Sequence, residues 1–172
     1  MKRSVRMALA LILCMVSFVG CGLNSKIDIM FSKVGLDASL DDVIESYGES
    51  DEIKKDDITG NTVYSYPCDY SGQDGKVSFE FAEDGHMEKI EWKVECPSQN
   101  ETEILSSLAE DLKDKYGKPE DQKTDTSDGS VQSYSWSKGE ITIRAEKSMY
   151  PVFVPAGENV NDGYVSCSFS RM

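Results

Sequence analysis

The sequence predicts an α+β fold made of two tandem repeats, each a helix followed by a three-stranded antiparallel sheet, with the sheet packed on the helices on one face. Three observations carry this reading. Two stretches of helical period end on the same pair, Tyr47-Gly48 and Tyr116-Gly117. Each is followed by runs that alternate apolar and polar residues. Val63-x-Ser65-Tyr66 returns as Val131-x-Ser133-Tyr134 at an offset of 68 residues, against 69 for the Tyr-Gly pair. Short matches in one order at nearly constant spacing point to an internal duplication. The repeats are placed at 35–97 and 98–172.

The first helix runs from Ser39, an N-cap residue, to Tyr47, with Leu40, Val43, Ile44 and Tyr47 on one stripe. Asp41 and Asp42 favour the helix dipole, and Gly48 is the stop. Strands are expected at 62–70, 76–82 and 87–96, separated by the turn-rich stretches 71–75 and 83–85. The second helix, 102–116, carries Ile104, Leu105, Leu108, Leu112 and Tyr116. Strands at 131–137, 140–146 and 164–170 complete that repeat. Alternation puts Val77, Phe79, Phe81, Ile90, Trp92 and Val94 on one face, with Tyr134, Trp136, Ile141, Ile143, Val165, Cys167 and Phe169 in the second half. Lys76, Ser78, Glu80, Glu91, Lys93, Arg144 and Ser168 take the other face, which stays wet.

Gly35-Leu36-Asp37-Ala38-Ser39-Leu40-Asp41-Asp42-Val43, then Tyr47-Gly48-Glu49 and an aromatic strand, resembles the small outer-membrane lipoprotein and β-lactamase-inhibitor-protein type of fold. Lys115-Tyr116-Gly117-Lys118-Pro119 matches the Gly-x-Pro helix stop of that group, whereas Ser50 replaces the Pro in the first repeat. The resemblance implies a short helix leading into an antiparallel sheet, sometimes in tandem, and a role in inhibition or assembly.

Ahead of the repeats, Lys2, Arg3 and Arg6 precede an apolar run from Met7 to Gly20, the layout of a secretory signal at 1–20. Phe18-Val19-Gly20-Cys21 resembles the lipobox of bacterial lipoproteins, with Phe18 where Leu is commonest. That resemblance implies cleavage before Cys21, lipidation of its sulfur, and a tether over 21–34. An ordinary cleaved signal, with Cys21 left in a tail, is the other reading. The 172 residues hold 18 Lys plus Arg against 31 Asp plus Glu. Removing Lys2, Arg3 and Arg6 leaves 15 bases and a charge of −16 from 21 to 172. Such an excess argues against nucleic acid, which needs clustered cations.

Chemistry is sparse along the chain. His86 is the one histidine, in an Asp84-Gly85-His86 turn, so no second histidine supplies a metal site or a nucleophile–base pair. No phosphate loop or nucleophile elbow is present. The stretch 125–130 lacks the alternation of an EF-hand, and Asn100-Glu101-Thr102 reads as a helix opening before a glycosylation sequon. No metal, cofactor or catalytic set is expected, and the chain is read as non-enzymatic. Cys68 and Cys96 share core parity at one end of the meander, which permits either a disulfide or two buried thiols. Cys167 reads as a small buried residue. The insertion 148–163 holds Tyr150 and Phe153, aromatic anchors for a partner if displayed, or a short strand or edge cover if folded back.

These features predict a membrane-anchored extracytoplasmic lipoprotein that binds another envelope protein, with a small-ligand or envelope-polymer binding module as the alternative. A Cys21→Ser variant leaves the membrane fraction and appears in the soluble extract. Retention of that variant in membranes contradicts the lipidated reading.

Overall fold

The structure is a computed structural model that describes residues 27–96, 100–125, 131–149 and 163–172. Helix α1 (Leu40–Tyr47) opens on a reciprocal cap. The Asp42 N–H donates to Ser39 Oγ, and the Ser39 N–H donates to the Asp42 carboxylate at 2.8 Å. It stops at Gly48, whose φ of 87° suits a residue without Cβ and whose N–H reaches the Ile44 carbonyl at 2.8 Å. Helix α2 (Glu101–Tyr116) buries Leu105, Leu108 and Leu112 along one stripe. It stops at Gly117 in the same way, at φ 86° with an N–H to Lys113 O of 2.8 Å.

The described residues hold eight strands, four after each helix: β1 (Glu52–Lys55), β2 (Thr62–Tyr70), β3 (Gln73–Phe81) and β4 (Met87–Cys96), then β5 (Asp121–Asp125), β6 (Val131–Lys138), β7 (Ile141–Met149) and β8 (Gly163–Arg171). They form one antiparallel sheet in the order β1-β2-β3-β4-β8-β7-β6-β5. The predicted architecture is therefore corrected on two points. Each helix is followed by four strands, not three. The two groups share a single sheet because β4 pairs with β8, Trp92 opposite Cys167. The β2–β3 connection is also tighter than the predicted loop. Tyr70 faces Gln73 across Ser71 (φ 53°) and Gly72 (φ 74°), a two-residue turn with positive φ at both positions.

Side-chain parity follows the prediction across the whole sheet. One cross-strand row reads Tyr64, Phe79, Ile90, Phe169, Ile143, Trp136, and the next reads Tyr66, Val77, Trp92, Cys167, Ala145, Tyr134. Between them, on the opposite face, lie Ser65, Ser78, Glu91, Ser168, Arg144 and Ser135. Both helices pack on the apolar face: Tyr47 meets the rings of Tyr66 and Phe79 at 5.1 Å, and Tyr116 meets Phe169 at 5.9 Å. A third cover comes from residues expected to be tether. Ile29 and Phe31 are buried, and the Phe31 ring lies 5.7 Å from Phe169 and 5.9 Å from Tyr70. The stretch 27–34 therefore belongs to the folded domain, while 1–26 lie outside the described residues.

Gly75 is required by a close approach. A Cβ there would stand 2.7 Å from both the Lys93 carbonyl oxygen and Trp92 Nε1, the indole that donates to Cys68 O at 3.2 Å. Gly75→Ala forces the Trp92 ring or the β3–β4 ladder to shift, at a cost of about 2 kcal/mol. Thermal denaturation should show a melting temperature lowered by roughly 4–8 °C.

Candidate functional site

One open cleft among the described residues has a volume of about 1010 Å³. One wall is the segment 27–38, a second is the outer side of α1, and a third is the β6–β7 turn with the end of β8. Each wall is held in place by a specific tie. Arg171 Nη2 donates to Leu36 O at 3.1 Å and pairs with the Asp37 carboxylate. Lys33 donates from its backbone N–H to Tyr47 Oη at 2.8 Å and from Nζ to Ser46 O at 3.1 Å, with its ammonium 4.7 Å from the Tyr47 ring centre. Lys115 pairs with Asp28 at 2.8 Å, and the Tyr116 hydroxyl donates to Asp28 O. The terminal Met172 N–H donates to Glu140 O at 2.9 Å.

These ties consume most of the charge around the cleft. Exposed Glu45, Lys138 and Glu140 on its rim have no ion pair or side-chain hydrogen bond among the described residues. The lining also includes the apolar side chains of Ile27, Val34, Leu36, Ala38 and Ile141. The result is a groove of mixed polar and apolar lining, with charge of both signs at its rim that is uncommitted among the described residues. None of these residues was marked from the sequence as a candidate binding residue. The relevant signals, Arg171 and Asp37, are 134 positions apart, and no local pattern links them.

A second, smaller pocket of about 240 Å³ lies between the β2–β3 turn and α2, lined by Tyr70, Gln73, Trp92, Asn100, Glu103 and Ser107 among others. Burial raises the Tyr70 phenol well above its ordinary range, with the Asp111 carboxylate adding to the shift, so it stays a neutral donor. Burial does the same to Tyr116, beside Asp28. Near the start of α2, Glu101 is buried, with Oε1 lacking a hydrogen-bond partner among the described residues. A Cβ on Gly163 would overlap that carboxylate, so the glycine makes room for it. Lys147 is also buried and donates to Thr102 Oγ1 at 2.8 Å. No group of three or more His, Cys, Asp or Glu side chains among the described residues is spaced to hold a metal ion. His86 sits in an exposed turn against Asp84, with Glu88 at 3.6 Å.

The other residues marked from the sequence fall as follows. Cys68 and Cys96 are free thiols, not a disulfide. β3 lies between their strands and Cys96 is two residues beyond the position aligned with Cys68, so two ladder spacings and that offset put them roughly 12 Å apart. Cys68 Sγ lies 3.5 Å from Phe31 O, while Cys96 lies opposite Gly163. Cys167 is fully buried in the central row. Cys21, Tyr150, Phe153 and residues 126–130 lie outside the described residues.

No protein-family model matches the chain, and no curated protein matches it. Among solved structures it is similar to the crystal structure of a DUF4309 family protein, YjgB from Bacillus subtilis. The TM-score is 0.47 at 14% identity, covering 86% of this chain and 88% of that one. That likeness bears on neither the lipobox nor the inhibitor-type fold, and no residue role passes from it to this chain.

Burial raises the pKa of all three thiols, helped at Cys68 by Asp69, at Cys96 by Glu101 and at Cys167 by Glu91. Among the cysteines in the described residues, only Cys68 is partly accessible. Alkylation of the native full chain, read per cysteine by mass spectrometry, should therefore modify Cys68 at least about tenfold faster than Cys96 or Cys167, which react only on opening of the sheet. A recovered Cys68–Cys96 linked peptide contradicts this.

Proposed function

We propose that this chain is a lipid-anchored extracytoplasmic lipoprotein, acting without catalysis as a binding module for another envelope protein through the cleft. The observation that supports this reading best is the set of rim charges Glu45, Lys138 and Glu140, unpaired among the described residues, in a cleft whose lining also offers Val34 and Ile141. Buried charges are normally paired, and exposed ones cost little to leave free. Free charges of both signs on the cleft rim can be met by a partner that supplies the complementary halves. A small-ligand or envelope-polymer module is the alternative, favoured by the smaller pocket with Tyr70 and the Gln73, Asn100 and Ser107 polar groups.

Affinity capture from detergent-solubilised membranes distinguishes the two. Double reversal Glu45→Lys with Glu140→Lys should lower recovery of the partner by about tenfold, or 1.4 kcal/mol. A control reversal at exposed Asp57, in the β1–β2 turn, should leave recovery unchanged. Both variants should melt within about 1 °C of the parent, since the altered groups are solvated. Equal recovery from parent and rim variant defeats the cleft as the binding surface.

A further inference from the structure

We infer that the cleft takes a cationic segment of an integral membrane protein, at the point where that segment emerges from the bilayer. The inference rests on the lipid-anchored reading above and names the class of its partner.

The first support is reach. Ile27 and Asp28 are part of the cleft wall, so the chain leading back to Cys21 departs from the cleft's own rim. Six peptide units separate Cys21 from Ile27, at most about 20 Å of fully extended chain. Where the cleft faces the headgroups at that reach, a folded domain of about 100 residues, with a radius of gyration near 13 Å, is too wide to sit between them. A single chain fits: even a helix with its side chains is only about 10–12 Å across.

The second support is charge. Lys33, Asp28, Asp37 and Arg171 are all engaged within the protein. What remains on the rim is Glu45 and Glu140 against Lys138, a net negative remainder. The chain from 21 onward carries −16. Anionic headgroups repel such a domain, which makes a lipid surface itself a poor occupant. A chain bearing Lys or Arg gains from both carboxylates, and its apolar residues can settle on Val34 and Ile141.

The test uses the full lipidated chain in its own membranes, with a photo-crosslinking phenylalanine analogue placed at position 45 or 138, and at Ser168 on the opposite sheet face as control. Adducts from the cleft positions should map to protein segments directly flanking a transmembrane span. Inserting about 20 Gly/Ser residues after Gly22 should lower adduct yield about ninefold, through the fall of effective concentration with tether length, while membrane fractionation stays unchanged. Adducts to lipid or to a globular domain, or a yield unaffected by the spacer, overturn this inference but leave the cleft reading standing. Adducts from position 168 only, or from no position, overturn both.

Discussion

The pairing of β4 with β8 is the constraint from which the rest of the architecture follows. Joining the two four-strand groups edge to edge makes their apolar rows continuous across six strands. One sheet with one apolar face allows only one core, so α1, α2 and the segment 27–38 must all cover the same side. The central residues show the result: Val77, Phe79, Ile90, Ile143, Cys167 and Phe169 have no exposed surface. Two separate three-stranded sheets would each have left an edge at β4 and β8. Their mutual pairing moves both open edges to β1 and β5, which are short and charged. That is the usual protection of an edge against stray strand addition.

The same constraint explains which features were legible in the chain. Face assignment was readable because alternation at period two is a local property, and every strand expected from it was present with the expected parity. Both helix stops were readable from Gly48 and Gly117. β1 and β5 were not: Glu-Ile-Lys-Lys offers one apolar residue, and Asp-Gln-Lys-Thr-Asp offers none. At an edge only one side is paired and little is buried, so nothing forces the alternation that signals a strand. The burial of Ile29 and Phe31 was hidden for a different reason. Phe31 packs on Phe169, 138 residues away, and no window of sequence contains both.

The N-terminal segment links this core to the cleft. Its apolar residues insert over the central rows, while its carbonyls and carboxylates are caught by the far end of the chain, Leu36 O and Asp37 by Arg171, and by α2 through Asp28 and Lys115. The segment thus serves as core cover on its inner side and as a groove wall on its outer side. Neither role could be assigned to it before the single sheet was known, because both depend on β8 lying between β4 and β7.

Charge is distributed unevenly between the two sides of the sheet. On the polar face acids and bases meet in close pairs, Lys76 and Lys54 on Glu52, Lys89 on Glu80, Arg144 on Glu146, with Ser65 and Ser78 bonded hydroxyl to hydroxyl at 2.9 Å. Lys76 first, then Lys54, pulls the Glu52 carboxyl down to about 2. A depressed carboxylate of this kind stabilises the fold above its unfolded value and loses that contribution only as pH falls toward 2, so the face keeps its pairs through the ordinary range. Most charges on that face are already paired, and a partner docking there must break pairs to make new ones. The cleft is the opposite case. Its walls are tied from behind by Arg171, Lys115 and Lys33, which leaves Glu45, Lys138 and Glu140 exposed and without partners among the described residues, beside a lining of mixed polarity. Binding there costs no existing pair, and that asymmetry, more than the cleft's size, favours it over the broad sheet face as the working surface.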